Sequence, residues 1–164
     1  QMALVIDISV ANQSLTLRDL ESNEQVFTTT IATAKNGIGQ VSGSEQTPLG
    51  QHRIRAKIGA GEAINSVFVG RRPTGEVYSA ELAEQHPNRD WILSRIMWLC
   101  GEEVDHNRLG NVDTQARYIY IHGAPDSHEM GIPSSHGCIK MTNDDVVMLF
   151  DLVPVGTKVL IHAD

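Results

Sequence analysis

The chain has little cysteine, few aromatics, no long apolar run and no cluster of positive charge, and each shortage removes a class of protein. Two cysteines in 164 residues, Cys100 and Cys138, do not make a disulfide framework. Aromatic residues account for 5%, so the core must be built from Val, Ile and Leu. No apolar stretch approaches the roughly 18–20 residues that cross a bilayer as a helix. The opening QMALVIDISV lacks a basic region and carries Asp7, so it reads as a strand and not as a signal peptide. Gln1 ahead of Met2 reads as a remnant, which leaves open a native leader removed upstream, and the compartment is not legible from this end. The formal charge is −7, from 20 acidic and 13 basic side chains. With no Lys/Arg cluster to reverse it locally, such a surface repels phosphate backbones, and nucleic acid is not an expected partner.

What is present is an ordinary globular balance, 41% apolar and 20% charged, in a length that closes one hydrophobic core. A single domain over residues 1–164 is therefore expected. The first third reads as strands. Leu4–Ser9 and Leu15–Arg18 flank the turn Ala11-Asn12-Gln13-Ser14, and Val26 to Ala34 is β-branched and rich in Thr. A loop from Gly37 to Gly50 precedes an alternating strand over His52–Ile58 and a short apolar one over Ser66–Gly70. Trp91–Leu99 has apolar residues at helical spacing behind Asn88 and Asp90, either a suitable cap, which predicts a helix. Tyr118–His122 reads as a strand running into Gly123. Thr142-Asn143-Asp144-Asp145 opens a second helix, Val146–Val153, with acidic residues where the macrodipole favours them. Pro154 stops it, and Gly156–His162 supplies a closing strand. Strands before and after two inserted helices predict a mainly β, sandwich-like architecture.

Chemistry concentrates in Tyr118–Lys140, YIYIHGAPDSHEMGIPSSHGCIK. Strand alternation places Tyr118, Tyr120 and His122 on one face and Ile119 and Ile121 on the other. With the Ile face buried, His122 emerges at the strand end, and Gly123 beside it leaves room for a substrate. Further on comes Ser134-Ser135-His136-Gly137-Cys138, in which Gly137 permits a tight backbone. Cys138 precedes the helix expected near Thr142, and a thiol near a helix N-terminus and a histidine is placed to become a thiolate. The backbone N–H groups of Gly137 and Cys138 supply a candidate oxyanion hole. Nucleophile, base and electrophilic pocket together are the minimum for acyl transfer. A lone histidine at a strand end is more often a hydrogen-bonding residue than a catalyst. His122, His128, His136 and Cys138 could instead ligate a metal, but no CxxC or HxxxH pair is present, so no metal and no cofactor are assigned. His52, His86, His106 and His162 are scattered and receive no role. Cys100 follows Ile96-Met97-Trp98-Leu99 and reads as a buried, inert thiol.

Ile121-His122-Gly123 followed by Ser135-His136-Gly137-Cys138-Ile139 resembles the active-site signature of the L,D-transpeptidases, the YkuD-type catalytic domain. The resemblance runs along almost the whole chain. Leu4–Leu17 is similar to the family's opening hairpin, and Thr47-Pro48-Leu49-Gly50 to its TP-x-G turn. Trp91–Leu99, Asn111-Val112-Asp113 and Asp144–Val155 are similar to the bacterial single-domain branch.

The resemblance implies a β-rich catalytic fold acting on peptidoglycan stem peptides in the periplasm or cell envelope. Cys138 would attack the carbonyl at the L-centre of the third stem residue, D-Ala would leave, and an amine of a second stem would resolve the thioester into a 3→3 cross-link. His122 matches the base, and Gly123 the residue whose carbonyl orients the imidazole. Ser135, His136 and Gly137 match the substrate-lining loop. Lys140 stands where many members of this branch carry Arg, keeping the charge but losing the bidentate fork that grips a stem carboxylate. Carbapenems, as strained mimics of the donor, would acylate Cys138. Arg71, Arg72, Arg95 and Arg117 are further candidates for cations near the cleft. Water in place of the amine would make the chain an L,D-carboxypeptidase, and loss of chemistry altogether would leave a wall-peptide or metal-binding module.

The two cysteines separate these readings. Cys138→Ala is expected to abolish turnover of a stem peptide while circular dichroism and the unfolding midpoint stay near wild type, and Cys100→Ala to retain both. Full turnover in Cys138→Ala would remove the thiol from the mechanism.

Overall fold

The computed structural model describes residues 3–164, so Gln1, read above as a remnant, and Met2 lie outside the described residues. The opening hairpin forms from β1 (Leu4–Ser9) and β2 (Ser14–Asp19), antiparallel with Ser9 opposite Ser14. Leu15 and Leu17 of β2 point into the core while Thr16 and Arg18 alternate outward. β3 (Glu24–Thr30) adds to β2. The last strand, β10 (Lys158–His162), returns to lie parallel to β1 and antiparallel to β4 (Gly50–Ile58). The remaining strands are β5 (Ser66–Val69), β6 (Arg72–Val77), β7 (Ile92–Gly101), β8 (Tyr120–Gly123) and β9 (Ile139–Met141).

These ten strands form one sheet in the order β3-β2-β1-β10-β4-β7-β5-β6, with β8 on β7 and β9 on β8. Beyond β3, Ala32 bridges Lys140 and Ala34 bridges Ser135. The sheet therefore curls back on itself, and its inner face encloses one core that includes Ile6, Leu17, Ile54, Leu99, Ile121 and Ile161. The mainly β expectation holds. Among the described residues no helix is long and apolar enough to cross a membrane.

One expected helix is a strand. Ile92–Gly101 is β7, paired with β4 and β5 and, through Leu93–Trp98, with β8. Its residues are nearly all buried on both faces, because a central strand with both faces covered reads as an unbroken apolar run. Such a run fits helical spacing as readily as strand spacing, and periodicity alone does not separate the two. Asp90, expected as a helix cap, instead leads into this strand. The helix that does form in the middle is α1 (Ala80–Gln85), capped by Ser79 Oγ, which accepts from the Leu82 amide at 3.1 Å. It buries no residue and so carries no apolar period. β6 was hidden for a related reason: Pro73 and Gly75 argue against a strand anywhere but at a sheet edge, which is where it lies.

The second helix forms as expected. α2 (Asn143–Leu152) is capped by Thr142 Oγ1, which accepts from the Asp145 amide at 3.3 Å, and Asp144 and Asp145 occupy its first turn. Val146, Leu149 and Phe150 bury one face of it.

The first residue of α2 ties three elements together. Ser94, wholly buried at a bulge in β7 with φ 71°, donates through Oγ to Asn143 Oδ1 at 2.6 Å and accepts from the Asn65 amide at 2.9 Å. Asn143 Nδ2 in turn donates to Asn65 Oδ1 at 2.8 Å and to the Ala124 carbonyl at 2.9 Å. Asn143→Ala is expected to strand these buried groups and lower stability by about 1–3 kcal/mol, read from the urea midpoint at constant m. A change within 0.5 kcal/mol, the size of a neutral surface substitution, would show the network to be dispensable.

Candidate active site

Residues of β8, β9 and the loop between them meet in one cleft of about 450 Å³, lined among others by Arg71, Asp90, Tyr120, His122, Cys138 and Lys140. β8 and β9 run parallel with His122 in register with Lys140, so both side chains stand on the same face. The expectation that only the Ile face would be buried is half right. Ile119 and Ile121 enter the main core, while Tyr120 and His122 are covered as well, because Phe68 and Ile96 build a second apolar cluster there around Tyr120.

His122 Nδ1 lies 2.7 Å from the Gly123 carbonyl oxygen. A carbonyl only accepts, so Nδ1 carries the hydrogen and the lone pair of the neutral ring resides on Nε2. Burial lowers the His122 pKa and keeps the imidazole neutral at physiological pH. Gly123 is required for a different reason from the one expected. A Cβ there would sit 2.6 Å from both the Leu93 carbonyl and Asn143 Oδ1, so the missing side chain makes room for the protein's own backbone and not for a substrate.

Cys138 is half-buried. Its thiol donates toward the Tyr118 carbonyl at 3.4 Å and accepts from the Tyr120 amide at 3.3 Å. Burial pushes its pKa up to about 12, against the smaller opposing effect of the Tyr120 N–H. The expectation of a thiolate steadied by a helix N-terminus is therefore overturned. The three residues of β9 separate Cys138 from α2, roughly 10 Å of extended chain at ~3.3 Å per residue, and a helix terminus acts only over its own first turn.

The loop carrying Cys138 is held from two sides. Ser135 is 1% exposed; its Oγ donates to the Cys138 carbonyl at 2.6 Å and accepts from the Gly137 amide at 3.2 Å. Expected as a substrate-lining residue, Ser135 has its hydroxyl consumed inside the loop. The Gly137 amide, expected in an oxyanion hole, is turned to Ser135, whereas the Cys138 amide meets no acceptor among the described residues. Gly137 itself has φ +129°, and a Cβ would meet Ile119 Cδ1 at 3.0 Å, so only glycine suits the position. On the other side Thr47, wholly buried, donates through Oγ1 to the Gly137 carbonyl at 3.0 Å while accepting from the Ala34 amide at 2.9 Å. Thr47 was visible in the sequence only as part of a turn motif.

Asp90 carried no chemical signal in the sequence, yet it faces an ammonium and an imidazole across the cleft. Its carboxylate lies 3.9 Å from Lys140 Nζ and 3.9 Å from His136 Nδ1. Lys140 is 9% exposed, whereas His136 is exposed at the rim. Of the four arginines considered, Arg71 alone lines the cleft, where it donates to the Tyr120 hydroxyl at 3.1 Å and lies over Trp98 and Tyr118. Arg95 and Arg117 are spent on backbone carbonyls, of Glu62 and Ser94 and of Gly39 and Gln46 respectively, and Arg72 faces solvent on β6. His128 bonds Ser134 Oγ at 2.8 Å. Among the described residues no group of three His, Cys, Asp or Glu side chains is arranged to hold a metal.

The half-buried Cys138 thiol and the neutral His122 imidazole of fixed tautomer thus line one cleft on a curled sheet. The profile of the YkuD L,D-transpeptidase catalytic domain matches residues 3–161, and the chain belongs to that family. It is 49% identical over 51 residues to the putative L,D-transpeptidase YqjB of Bacillus subtilis, a match covering 31% of this chain and 29% of that protein. It is likewise 49% identical over 45 residues to the probable L,D-transpeptidase ErfK/SrfK of Escherichia coli, covering 27% and 14%. The matched segments thus span less than a third of either relative. The fold is that of the L,D-transpeptidase LdtMt1 solved with imipenem, with a TM-score of 0.58 at 19% identity over 98% of this chain and 59% of that one.

The protonation state of the site has a direct readout. With a thiol pKa near 12, alkylation of Cys138 by iodoacetamide in the absence of donor is expected to rise about tenfold per unit from pH 7 to 10, following the thiolate fraction. Peptide mapping distinguishes it from Cys100, whose thiol burial also raises. A plateau reached below pH 9 would mean a pre-formed thiolate.

Proposed function

We propose that this chain is a cysteine-dependent L,D-transpeptidase acting on peptidoglycan tetrapeptide stems. The observation that carries the reading is the hydrogen bond from His122 Nδ1 to the Gly123 carbonyl in the cleft that also holds Cys138, because it leaves Nε2 as the free base. The Cys138 proton passes to His122 Nε2 as sulfur bonds to the carbonyl carbon of the third stem residue. The Cys138 amide, which meets no acceptor among the described residues, serves as the donor to the oxyanion. Collapse breaks the amide bond, and the leaving D-Ala amine takes the proton back from His122. The acceptor amine then loses a proton to His122 and attacks the thioester, which restores the thiol.

Lys140, nearly buried at the cleft floor, provides a charge for a stem carboxylate, with Asp90 as its resting counter-ion. Family membership and the imipenem complex of LdtMt1 support a site that accepts strained acyl donors. The substrate lies in the cell envelope, so the chain is expected to act there, as one catalytic domain.

Incubation with a disaccharide-tetrapeptide, followed by mass spectrometry, tests this. Dimers lacking one D-Ala are expected, together with a Cys138 adduct after exposure to imipenem. Tripeptide monomers alone would assign the hydrolytic reaction instead. Neither product nor adduct would overturn acyl transfer at Cys138.

A further inference from the structure

A second cavity, about 520 Å³, opens at the other end of β7 and is lined by Arg53, Arg55, Arg108, Glu102, Asp113 and Gln115, among others. Three cations reach it from two parts of the chain. Arg53 stands opposite Cys100 across β4 and β7. The register then shifts between Ile54 and Ala56, so Arg55 is the extra residue of a bulge, and Arg53 and Arg55 both face outward while Ile54 enters the core. Arg108 comes from the loop after β7. That loop is anchored by Asn107, wholly buried, whose Nδ2 donates to the Leu49 and Gln51 carbonyls at 3.1 Å each and whose Oδ1 accepts from the Glu103 amide at 2.9 Å.

The cavity's own carboxylates are engaged elsewhere. Glu102 faces Lys158 Nζ at 3.4 Å, and the two oxygens of Asp113 accept the amides of Leu109 at 2.6 Å and Ala116 at 2.8 Å. Among the described residues none of the three guanidinium groups has a hydrogen bond or a carboxylate within 4 Å. In a chain of net charge −7, three arginines gathered without counter-ions around one cavity form a local positive field that an anion would relieve.

This cavity and the cleft share one side of the sheet. Trp98 and Cys100 alternate onto the same face of β7, roughly 7 Å apart at ~3.3 Å per residue. Trp98 Nε1 donates to the carbonyl of Gln115, which lines the arginine cavity, and the same indole lies under Arg71, which lines the cleft. An extended anionic ligand can therefore run from one to the other over Trp98. Planar guanidinium forks match carboxylates. We infer that the Arg53–Arg55–Arg108 cavity is an exosite for the carboxylates of a non-reacting stem of the wall polymer whose neighbouring stem lies at Cys138. The inference rests on the function proposed above.

The triple variant Arg53→Gln/Arg55→Gln/Arg108→Gln, made in the full chain, tests it against two substrates. Retention on sacculi stripped of phosphate polymers is expected to fall about tenfold at low salt and to lose most of its salt dependence. Turnover of the soluble disaccharide-tetrapeptide should stay within about twofold of wild type. The triple Lys variant, which keeps the charge and loses the fork, should keep the salt dependence with weaker retention. Unchanged retention in the glutamine variant would overturn the exosite. So would a loss confined to walls carrying poly(glycerol phosphate), which would make phosphate the ligand, or a parallel loss of monomer turnover. Wild-type retention that depends on the arginines, without any turnover, would sink the catalytic reading and leave the exosite standing.

Discussion

The arrangement of this site hangs on the bond between His122 Nδ1 and the carbonyl of the next residue. That bond fixes the tautomer and the plane of the ring, but it forms only if the backbone at Gly123 can lie tightly against β7. There is no space for a side chain, since the Leu93 carbonyl and Asn143 occupy the place of a Cβ. Those neighbours are themselves held by the Ser94 bulge and the Asn143 network. A single imidazole orientation thus depends on a kink in one strand, the first residue of one helix and the absence of one methyl group. Positioning of this kind is built into the sheet, which makes it more rigid than a site assembled on loops.

The Cys138 thiol is fixed by separate means. Cys138 lies in a loop whose carbonyls and amides are tied inward by Ser135 and outward by Thr47. Thr47 also takes the Ala34 amide, and Ala34 bridges to Ser135 itself. The segment beyond β3, the turn before β4 and the Cys138 loop therefore share one buried hydroxyl. Two halves of the site, one on β8 and one on this loop, are aligned because β8 and β9 are adjacent parallel strands with His122 and Lys140 in register.

Much of this was legible in the sequence, for reasons that particular residues make clear. The β1–β2 hairpin alternates cleanly because one face is solvated, and α2 announces itself through Thr142, two aspartates and a spaced apolar stripe. β7 was misread because it is covered on both faces, and burial on both sides erases the period that distinguishes a strand. The His122–Gly123 and Ser135–Cys138 motifs are local, and short-range pattern finds them. Asp90, Arg71 and the arginine cavity are not local: each arises from tertiary pairing of residues that look like ordinary surface charge in one dimension. The helix-dipole argument for Cys138 failed on geometry of the same kind, since three of the four intervening residues form a strand instead of continuing into the helix.

The resting chemistry follows from burial. Desolvation raises the thiol and lowers the imidazole, and so favours the uncharged form of both over an ion pair. A neutral thiol hydrogen-bonded to the Tyr118 carbonyl is protected from alkylation and oxidation, which attack the thiolate. On the proposed function the proton would therefore move during attack, not before it, and the charge separation would be offset by whatever receives the developing oxyanion. The two cations that line the cleft, Lys140 and Arg71, are both restrained, one by Asp90 and one by the Tyr120 hydroxyl and the faces of Trp98 and Tyr118. On the proposed function an anionic donor would compete with Asp90 for Lys140, so donor binding and release of that ammonium would be the same event. On the proposed function, selectivity for carboxylate-bearing donors and the charge balance of the cleft would thus be set by the same Asp90–Lys140 pair.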